Sequence, residues 1–552
     1  MSRTSSPSQV VPRRHFIALL VAATGAAVAC GPQTAPAPSK PVDAAKPAES
    51  KPATGAAPAA QQAPAQAPAA VAPSGTLTVA QGIDPDTLDP VITSSSAVYS
   101  ITLNIYDTLL TRNKEGKLEP GLATSYQSLD EKTWEVKLRE NVKFHNGEPF
   151  DASAVKFTLE RTLDPATKSV HASTLGTIET VEVVDPMTVR IVTKAPDTLL
   201  PGRLSMQNGQ IQPPKYAQEV GPDGLAKRPV GTGPFKFVSW QKDEAVTLEA
   251  VPDHWRGPKV KTVVFKPIPE GAARVAGLKT GAVDIAAAVP PNDFESIKTG
   301  DRTTGVEVMS NRAFLLNLDT INFEPFKDKR VRQALNYAVD VDAIIKNTLN
   351  GFGRRLNSSV IPEAFGYAPS LQPYPHDPEK AKALLAEAGY PNGFEVGLDT
   401  TDGRYPQDKE ISTVVAGQLA KVGIDVRVQA FEWGSFYDGV QSKKRAPMHV
   451  IGMSTEQFDA DNAFSVHFHS KRGTIWSRWQ NEEFDRLCDV ARSTLDENAR
   501  RQALQQAARI QHDEAAMVFL HQITYLYGIN KRVQGWEPSN IEPILVWGAS
   551  VG

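Results

Sequence analysis

Residues 377–428 carry the clearest secondary-structure pattern in the chain, and they read DPEKAKALLAEAGYPNGFEVGLDTTDGRYPQDKEISTVVAGQLAKVGIDVRV. Asp377 followed by Pro378 is typical of a helix start, and Gly389 is typical of a helix end. The apolar face between them consists of Ala381, Leu384, Leu385 and Ala388. Residues 394–398 then alternate between apolar and polar, which predicts a strand directly after this helix.

A second helix and a second strand complete the unit. Gly423 ends the helix, and residues 424–428 alternate as the following strand. The apolar face of the helix consists of Ile411, Val414, Val415, Leu419 and Val422. A strand–helix–strand order predicts a right-handed crossover, which makes the two strands parallel neighbours.

The first half of the chain after the N-terminal region is predicted to be rich in strands. Five segments alternate between two faces and contain β-branched or aromatic residues, namely 76–80, 133–138, 188–193, 235–240 and 262–266. Together with the later β-α-β unit, they predict an α/β fold in which mixed sheets are flanked by helices.

The N-terminus has the layout of an export signal. Arg13 and Arg14 precede an uncharged run from Phe16 to Ala29 that ends on small residues. This run has 14 residues, whereas a membrane-spanning helix needs roughly 20. We predict a signal peptide at 1–29. Its export route is either the general secretory route or the twin-arginine route, since Arg-Arg-His-Phe-Ile resembles a twin-arginine signal.

Cys30 and the residues after it predict a membrane-tethered protein. The run from Ala27 to Gly31 resembles a bacterial lipobox, which predicts cleavage before Cys30 and lipidation of its thiol. The alternatives are cleavage near Ala29 by an ordinary signal peptidase, which leaves Cys30 without a role, and an uncleaved N-terminal anchor. Residues 31–74 contain 10 prolines, 16 alanines and no aromatic residue, so they cannot bury enough apolar surface to offset the entropy cost of ordering. We therefore predict a lipidated cysteine and a disordered tether at 30–74.

Charge and cysteine content narrow the class of protein further. The formal net charge is −3 at pH 7, and loss of residues 1–29 removes three arginines and no acid, which leaves −6. This balance argues against nucleic acid as a partner. Cys30 and Cys488 are the two cysteines, so lipidation of Cys30 leaves no intrachain disulfide. Cys488 lies in a helical pattern and is predicted to be a core residue.

Seven segments of the chain resemble one family in sequence and in order. They are LEPGLATS at 118–125, TWEVKLR at 133–139, VKFHNG at 142–147, PVGTGPF at 229–235, HWRG at 254–257, VRQALNYA at 331–338 and DPEKAKALL at 377–385. The family is the bacterial extracellular solute-binding proteins of family 5, the dipeptide- and oligopeptide-binding lipoproteins of ABC importers. The resemblance extends from Gly75 to about Ser539.

This resemblance implies a periplasmic-binding-protein clamshell with two lobes and an extra subdomain. The implied boundaries are 75–110, 216–308 and 520–552 for lobe I, 111–215 for the subdomain, and 309–519 for lobe II. A ligand would lie in the cleft between the lobes, and closure would create the surface that a transporter recognises. The implied partners are the permease subunits and ATPase of an ABC importer, with the protein acting as a monomer at the outer face of the cytoplasmic membrane.

The resemblance also implies a set of ligand-binding residues. Ser96 and Tyr99 match the segment of lobe I that meets the ligand backbone, and Trp433 matches an aromatic residue that lines side-chain pockets. Gly452 and Ser454 would pair their backbone groups with an extended ligand. For Tyr99 and Trp433 the alternative is ordinary core packing.

Glu456 stands where the family carries its ammonium-binding aspartate. The family motif is Gly-Trp-x-x-Asp, and here Met453 and Glu456 replace its Trp and Asp. A peptide ammonium that enters a closed cleft needs a carboxylate, because an unpaired buried charge is strongly destabilising. Glu456 is therefore the predicted anchor for a ligand ammonium, with a solvated surface acid as the alternative.

Motifs of catalysis and metal binding are missing from the sequence. It contains no Gly-x-Ser-x-Gly elbow and no His-Glu-x-x-His run, and His467 and His469 have no third metal ligand at a recognisable spacing. We therefore predict no catalytic residue, no metal and no cofactor. The predicted function is capture of a di- or oligopeptide for an ABC importer. The alternatives are a non-peptide solute, such as an oligosaccharide, an opine or a metal chelate, or a sensory role for the same fold.

Overall fold

The computed structural model describes residues 72–113, 116–455, 457–471, 478–494 and 496–552. The predicted signal peptide, Cys30 and all but the last residues of the predicted tether lie outside these ranges, and so does Glu456. Within the described ranges, every helix is too short or too polar to cross a membrane.

The described residues form nineteen strands. Their bounds are β1 (Ser74–Gln81), β2 (Leu110–Arg112), β3 (Leu118–Pro120), β4 (Ala123–Ser128), β5 (Thr133–Leu138), β6 (Ile178–Asp185), β7 (Thr188–Thr193), β8 (Phe235–Gln241), β9 (Ala245–Ala250), β10 (Val260–Pro267), β11 (Ile285–Ala286), β12 (Thr303–Leu318), β13 (Gly353–Arg355), β14 (Phe394–Thr401), β15 (Ile424–Phe431), β16 (Met448–Ser454), β17 (Met517–Asn530), β18 (Val533–Gln534) and β19 (Ser550–Val551).

Sixteen α-helices accompany these strands in the described ranges. Their bounds are α1 (Ser96–Ile105), α2 (Ala152–Leu163), α3 (Ala172–Leu175), α4 (Leu200–Arg203), α5 (Pro214–Lys227), α6 (Gly271–Thr280), α7 (Pro291–Lys298), α8 (Glu324–Lys327), α9 (Lys329–Ala338), α10 (Val341–Asn347), α11 (Pro378–Glu387), α12 (Asp408–Ala420), α13 (Trp433–Gln441), α14 (Ala460–Ala463), α15 (Glu482–Ser493) and α16 (Glu497–Asp513).

The largest sheet has 11 strands in the order β15-β14-β16-β12-β17-β11-β1-β10-β9-β8, with β13 paired to β17. β14 and β15 are parallel, with Phe394 opposite Ile424, and α12 connects them. This arrangement confirms the predicted β-α-β unit. The contacts of β17 with its neighbours are antiparallel, so the sheet is mixed, as predicted.

Two long strands run through the middle of this sheet. β12 has 16 residues and β17 has 14, and they pair with each other along most of that length. β16 pairs with the 312–318 end of β12, whereas β11 pairs with the opposite end of the β12–β17 ladder. The long strands therefore connect two groups of strands. A register shift interrupts the ladder between Met309 and Ala313, next to the predicted lobe boundary at 308–309, and the division into lobes stays a prediction.

A separate sheet follows the order β4-β5-β7-β6. Its apolar core consists of buried residues from Leu109 to Ile211, including those of α2. Asp151 caps α2, because its carboxylate accepts a hydrogen bond from the Ser153 N–H at 2.8 Å. This core is distinct from the larger apolar cluster on the 11-stranded sheet.

Local patterns predicted these elements well. The five predicted strands of the first half correspond to β1, β5, β7, β8 and β10. α11 begins after Asp377, whose carboxylate accepts a hydrogen bond from the Lys380 N–H at 3.0 Å, and Ala381 and Leu385 are buried under it. Cys488 is buried in α15, as its helical pattern predicts.

Candidate ligand-binding site

A cavity of about 510 Å³ lies beside α1, α13 and the end of β16, within the range of about 300–1,000 Å³ that is typical of small-ligand sites. Five of the six predicted ligand-binding residues line it, namely Ser96, Tyr99, Trp433, Gly452 and Ser454. The sixth, Glu456, lies outside the described residues. The fold thus brings together residues from three separate segments that the sequence singled out.

Ser96 and Tyr99 lie on the same face at the start of α1, three residues apart. The Ser96 hydroxyl donates a hydrogen bond to Glu542 Oε1 at 2.9 Å. Tyr99 is 6% exposed, so its ring is part of the buried cavity wall. The first turn of α1 therefore presents one polar and one aromatic side chain to the cavity.

Trp433 begins α13, whose N-terminus is capped by the Glu432 carboxylate. Its ring centroid lies 6.1 Å from that of Phe436 and 6.3 Å from that of Tyr405. The indole packs on the main apolar cluster and also lines the cavity. The two alternatives considered for Trp433, core packing and a place at the cavity, therefore coexist.

Gly452 lies in β16 where two side chains converge on its carbonyl. That carbonyl accepts hydrogen bonds from Arg312 Nη1 at 3.1 Å and from the Tyr405 hydroxyl at 3.3 Å. A Cβ at this position would lie 2.6 Å from the Tyr405 ring, so only glycine fits. A carbonyl oxygen has two lone pairs, and these two donors use both of them. A ligand main chain would therefore pair with backbone groups other than the Gly452 carbonyl. The backbone role predicted for Gly452 and Ser454 stays a prediction.

A charged cluster that we did not predict lies on the same wall. Glu542 accepts hydrogen bonds from Arg312 Nη2 at 2.9 Å and from Arg404 Nη1 at 3.3 Å, in addition to the Ser96 hydroxyl. All three charged side chains line the cavity. One carboxylate therefore faces two guanidinium groups, which leaves a surplus of positive charge.

Glu542 is held in an unusual state by this cluster. Burial raises its pKa, but the charges of Arg312 and Arg404 outweigh burial and lower the pKa to about 2. Its φ is 82°, a left-handed conformation that costs a non-glycine residue about 1–3 kcal/mol. Such strain is frequent at functional sites, and here the hydrogen bonds to the carboxylate fix the residue.

Arg404 is positioned by the loop that follows β14. The buried Asp408 carboxylate accepts hydrogen bonds from the N–H groups of Gly403, Arg404 and Tyr405 at 3.0, 3.1 and 3.1 Å. The guanidinium lies over the Tyr405 ring at 4.9 Å and over the Trp433 ring at 5.3 Å. Ligands bind outside the carboxyl ends of parallel strands in α/β sheets, so the position of Arg404 just after a predicted parallel strand was a usable signal.

The region predicted as a subdomain also contributes to the cavity, although we assigned no site residue to it. Met206, Gln207 and Asn208 line one wall, and residues of the 170–174 segment line another. Gly209 ends this turn in close contact with the main chain, since a Cβ there would lie 2.1 Å from the Leu204 carbonyl oxygen. The cavity is therefore enclosed by more of the chain than the sequence indicated.

The two histidines considered as metal ligands are in different surroundings. His467 lines the cavity, and burial lowers its pKa to about 4, so its imidazole is neutral at neutral pH. His469 is buried, with Nε2 3.2 Å from Asp489 and Nδ1 3.7 Å from Asp485. Among the residues that the structure describes, no three His, Cys, Asp or Glu side chains are grouped to hold a metal ion.

Comparison with known proteins assigns the chain to a family. The family model for bacterial extracellular solute-binding proteins, family 5 (middle), matches residues 117–474. The glutathione-binding protein GsiB of Escherichia coli O1:K1 is 31% identical over 437 residues, which cover 76% of this chain and 83% of that protein.

Two solved structures share the fold. One is the ABC transporter-associated periplasmic binding protein DppA from Helicobacter pylori in complex with the peptide STSA, with 28% identity, a TM-score of 0.78 and coverage of 87% of this chain and 98% of that chain. The other is AgaA from A. tumefaciens R10 in complex with agropinic acid, with 30% identity, a TM-score of 0.76 and coverage of 87% and 99%.

The chain therefore belongs to family 5 of the bacterial extracellular solute-binding proteins, the substrate-binding components of ABC importers. This confirms the family resemblance and the predicted α/β fold. The three relatives bind glutathione, a peptide and agropinic acid, so family membership leaves the solute open.

Proposed function

We propose that this protein is the substrate-binding lipoprotein of an ABC importer, and that it captures a di- or oligopeptide in the cavity and delivers it to the permease. The observation that best supports this proposal is the convergence of Ser96, Tyr99, Trp433, Gly452 and Ser454 around one cavity of about 510 Å³. The protein binds its solute and passes it on without chemical change.

The cavity offers groups that suit a short peptide. Two guanidinium groups, from Arg312 and Arg404, share the single carboxylate of Glu542, so a ligand carboxylate would offset the remaining positive charge. Tyr99 and Trp433 offer aromatic contact area at low entropy cost. Glu456, two residues after the cavity-lining Ser454, would pair with the ligand ammonium.

Delivery requires a tether and a hinge. Lipidated Cys30 would hold the monomeric protein at the outer face of the cytoplasmic membrane, with residues 31–74 as a flexible tether. β12 and β17 connect the two groups of strands in the large sheet, and they are the segments about which closure would occur.

A small anionic solute that is not a peptide is the second candidate. The surplus positive charge at Arg312 and Arg404 would attract it equally well. The similarity to AgaA, at 30% identity over nearly its whole length, also supports this candidate.

The deciding experiment is identification of the bound solute. The protein is produced without residues 1–29, purified, denatured, and the released small molecules are analysed by mass spectrometry. Peptides of mixed sequence and narrow length would support the peptide proposal, whereas a single opine-like acid would replace it with the second candidate. Stripped and refolded protein, titrated by calorimetry with synthetic peptides of the same length, controls for adventitious carry-over. Hydrolysis of those peptides would contradict a purely binding role.

A further inference from the structure

Two buried side-chain amides on the cavity wall have unused hydrogen-bonding capacity. Gln207 and Asn208 are 8% and 5% exposed, and both line the cavity. The amide nitrogen of each has no hydrogen-bond partner among the residues that the structure describes. Native proteins rarely leave a buried donor unpaired, because the lost hydration is not replaced. Because Gln207 and Asn208 belong to the cavity wall, a bound ligand can supply the missing acceptors.

The main chain that carries these amides is fixed by the protein itself. The Gly209 N–H donates to the Met206 carbonyl at 2.9 Å, and the Gln210 N–H donates to the Gln207 carbonyl at 3.3 Å. The Leu109 N–H donates to the Gly209 carbonyl at 3.3 Å, which ties the turn to the neighbouring chain. The backbone that carries these amides is therefore fixed before a ligand arrives, which reduces the entropy cost of binding.

The charged groups around the cavity also favour an acceptor-rich ligand. Among the described residues that line the cavity, three side chains are cationic, namely Arg312, Arg404 and Lys443. The one carboxylate among them is that of Glu542. A ligand that carries an extra carboxylate would satisfy this charge, and the amide donors of Gln207 and Asn208 would bind its oxygens without adding further charge.

We infer that Gln207 and Asn208 are specificity-determining residues that donate hydrogen bonds to a carboxylate oxygen on a side chain of the bound peptide. The preferred substrates are then acidic peptides. This inference rests on the proposed function, since the acceptor belongs to a glutamate or aspartate side chain of a captured peptide. It gives the predicted subdomain, from which both residues come, a direct role in reading the solute.

The test compares how variants discriminate between matched peptides. The variants are Gln207→Leu and Asn208→Leu, which remove the donors and leave apolar side chains of similar size. Gln210→Leu is the matched control, because Gln210 lies in the same turn, is 1% exposed and also has an amide without a partner in the described ranges, yet is absent from the cavity wall. The ligands are alanine di- and tripeptides in which one residue is replaced by Glu or by Leu, titrated by calorimetry.

We expect the wild-type protein to prefer the Glu peptide over the Leu peptide at one ligand position. In each Leu variant, the ratio of the dissociation constants for the Leu and Glu peptides should fall about 10-fold, as expected for loss of a hydrogen bond to a charged group. Gln210→Leu should keep the wild-type ratio. Asn208→Asp is an isosteric change that turns the donor into an acceptor, and it should reverse the preference. This variant replaces the Leu variants in the test if a Leu variant folds poorly.

The results separate failure of this inference from failure of the proposed function. If peptides bind but wild-type protein shows no preference for Glu, or both Leu variants keep the preference, the inference is wrong and the proposed function stands. If stripped wild-type protein binds none of the peptides, both are overturned.

Discussion

Arg404 and Glu542 are 138 residues apart in the chain and meet at the cavity, with Arg404 Nη1 3.3 Å from Glu542 Oε1. Arg404 follows β14, in predicted lobe II, whereas Glu542 lies near the C-terminus, in predicted lobe I. Arg312 of β12 binds the same carboxylate with an N–O distance of 2.9 Å. This carboxylate therefore connects the predicted lobes at the place where a ligand would bind.

Removal of the Glu542 charge should destabilise the protein. Glu542→Gln leaves two largely buried guanidinium groups without their shared partner, and we expect a loss of about 3 kcal/mol in the free energy of unfolding, at the lower end of the cost of breaking a buried ion pair. Urea unfolding of the protein without residues 1–29 measures this. Glu249→Gln, which breaks an exposed pair with Lys236, is the control and should leave the free energy of unfolding nearly unchanged.

The same ion cluster makes stability depend on pH. The pKa of Glu542 is lowered from its ordinary value of 4.5 to about 2 in the folded protein. Its contribution is therefore fully present above about pH 4.5 and is lost as the pH falls towards 2. The difference in melting temperature between wild type and Glu542→Gln should be constant from pH 7 to pH 5 and should shrink at lower pH. A difference that stays constant down to pH 3 would contradict this pKa.

Arg404 should contribute to binding through the ligand carboxylate. Arg404→Met keeps the apolar stem over Tyr405 and Trp433 but removes the charge, and we expect peptides with a free carboxylate to bind about 10- to 100-fold more weakly. Peptides with an amidated C-terminus should bind both proteins equally. Arg427→Met, on the exposed face of β15, is the matched control. Equal weakening for free and amidated peptides would mean that Arg404 only maintains the fold of the loop.

Gly452 should not tolerate a side chain. Gly452→Ala forces its Cβ against the Tyr405 ring, which lies 2.6 Å away, and we expect a loss of about 1–3 kcal/mol in stability from overpacking, together with weaker ligand binding. Gly417→Ala is the control, because this exposed glycine of α12 has open space for a Cβ and the change should stabilise the protein by about 0.5–1 kcal/mol. Equal stability of the two variants would contradict this prediction.

Glu456 is expected to hold the ligand ammonium. Glu456→Gln should weaken peptide binding by about 2–4 kcal/mol, the cost of leaving the ammonium charge unpaired in a closed cleft. N-acetylated peptides, which lack that charge, should bind the variant and the wild type equally. An unchanged dissociation constant for free peptides by calorimetry would remove Glu456 from the site.

Cys30 is expected to anchor the protein to the membrane. Cys30→Ala in the full chain should remove acylation and release the protein from the membrane fraction, which labelling with a radioactive fatty acid and cell fractionation would detect. Cys488→Ala should leave both unchanged, because Cys488 is buried in the core. Membrane retention of unlabelled Cys30→Ala would indicate an uncleaved anchor instead.

Local patterns of residues were sufficient for much of the fold. The helix stop at Gly389, the alternation at 424–428 and the apolar stripes of α11 and α12 depend only on neighbours within a few residues, and each was predicted correctly. The family resemblance also singled out Ser96, Tyr99, Trp433, Gly452 and Ser454 as candidates, and the fold brings these residues to one cavity.

The charge cluster and the amide pair, in contrast, follow from the tertiary arrangement. Arg312, Arg404 and Glu542 are up to 230 residues apart, and no periodicity relates them, because their contact depends on how the long strands and the loop after β14 are placed in the sheet. In the sequence, Gln207 and Asn208 look like residues of an ordinary polar turn. Only the packing of this turn against the cavity buries their amides. Hydrophobic periodicity specifies elements, whereas the electrostatics of a site depends on distances between elements.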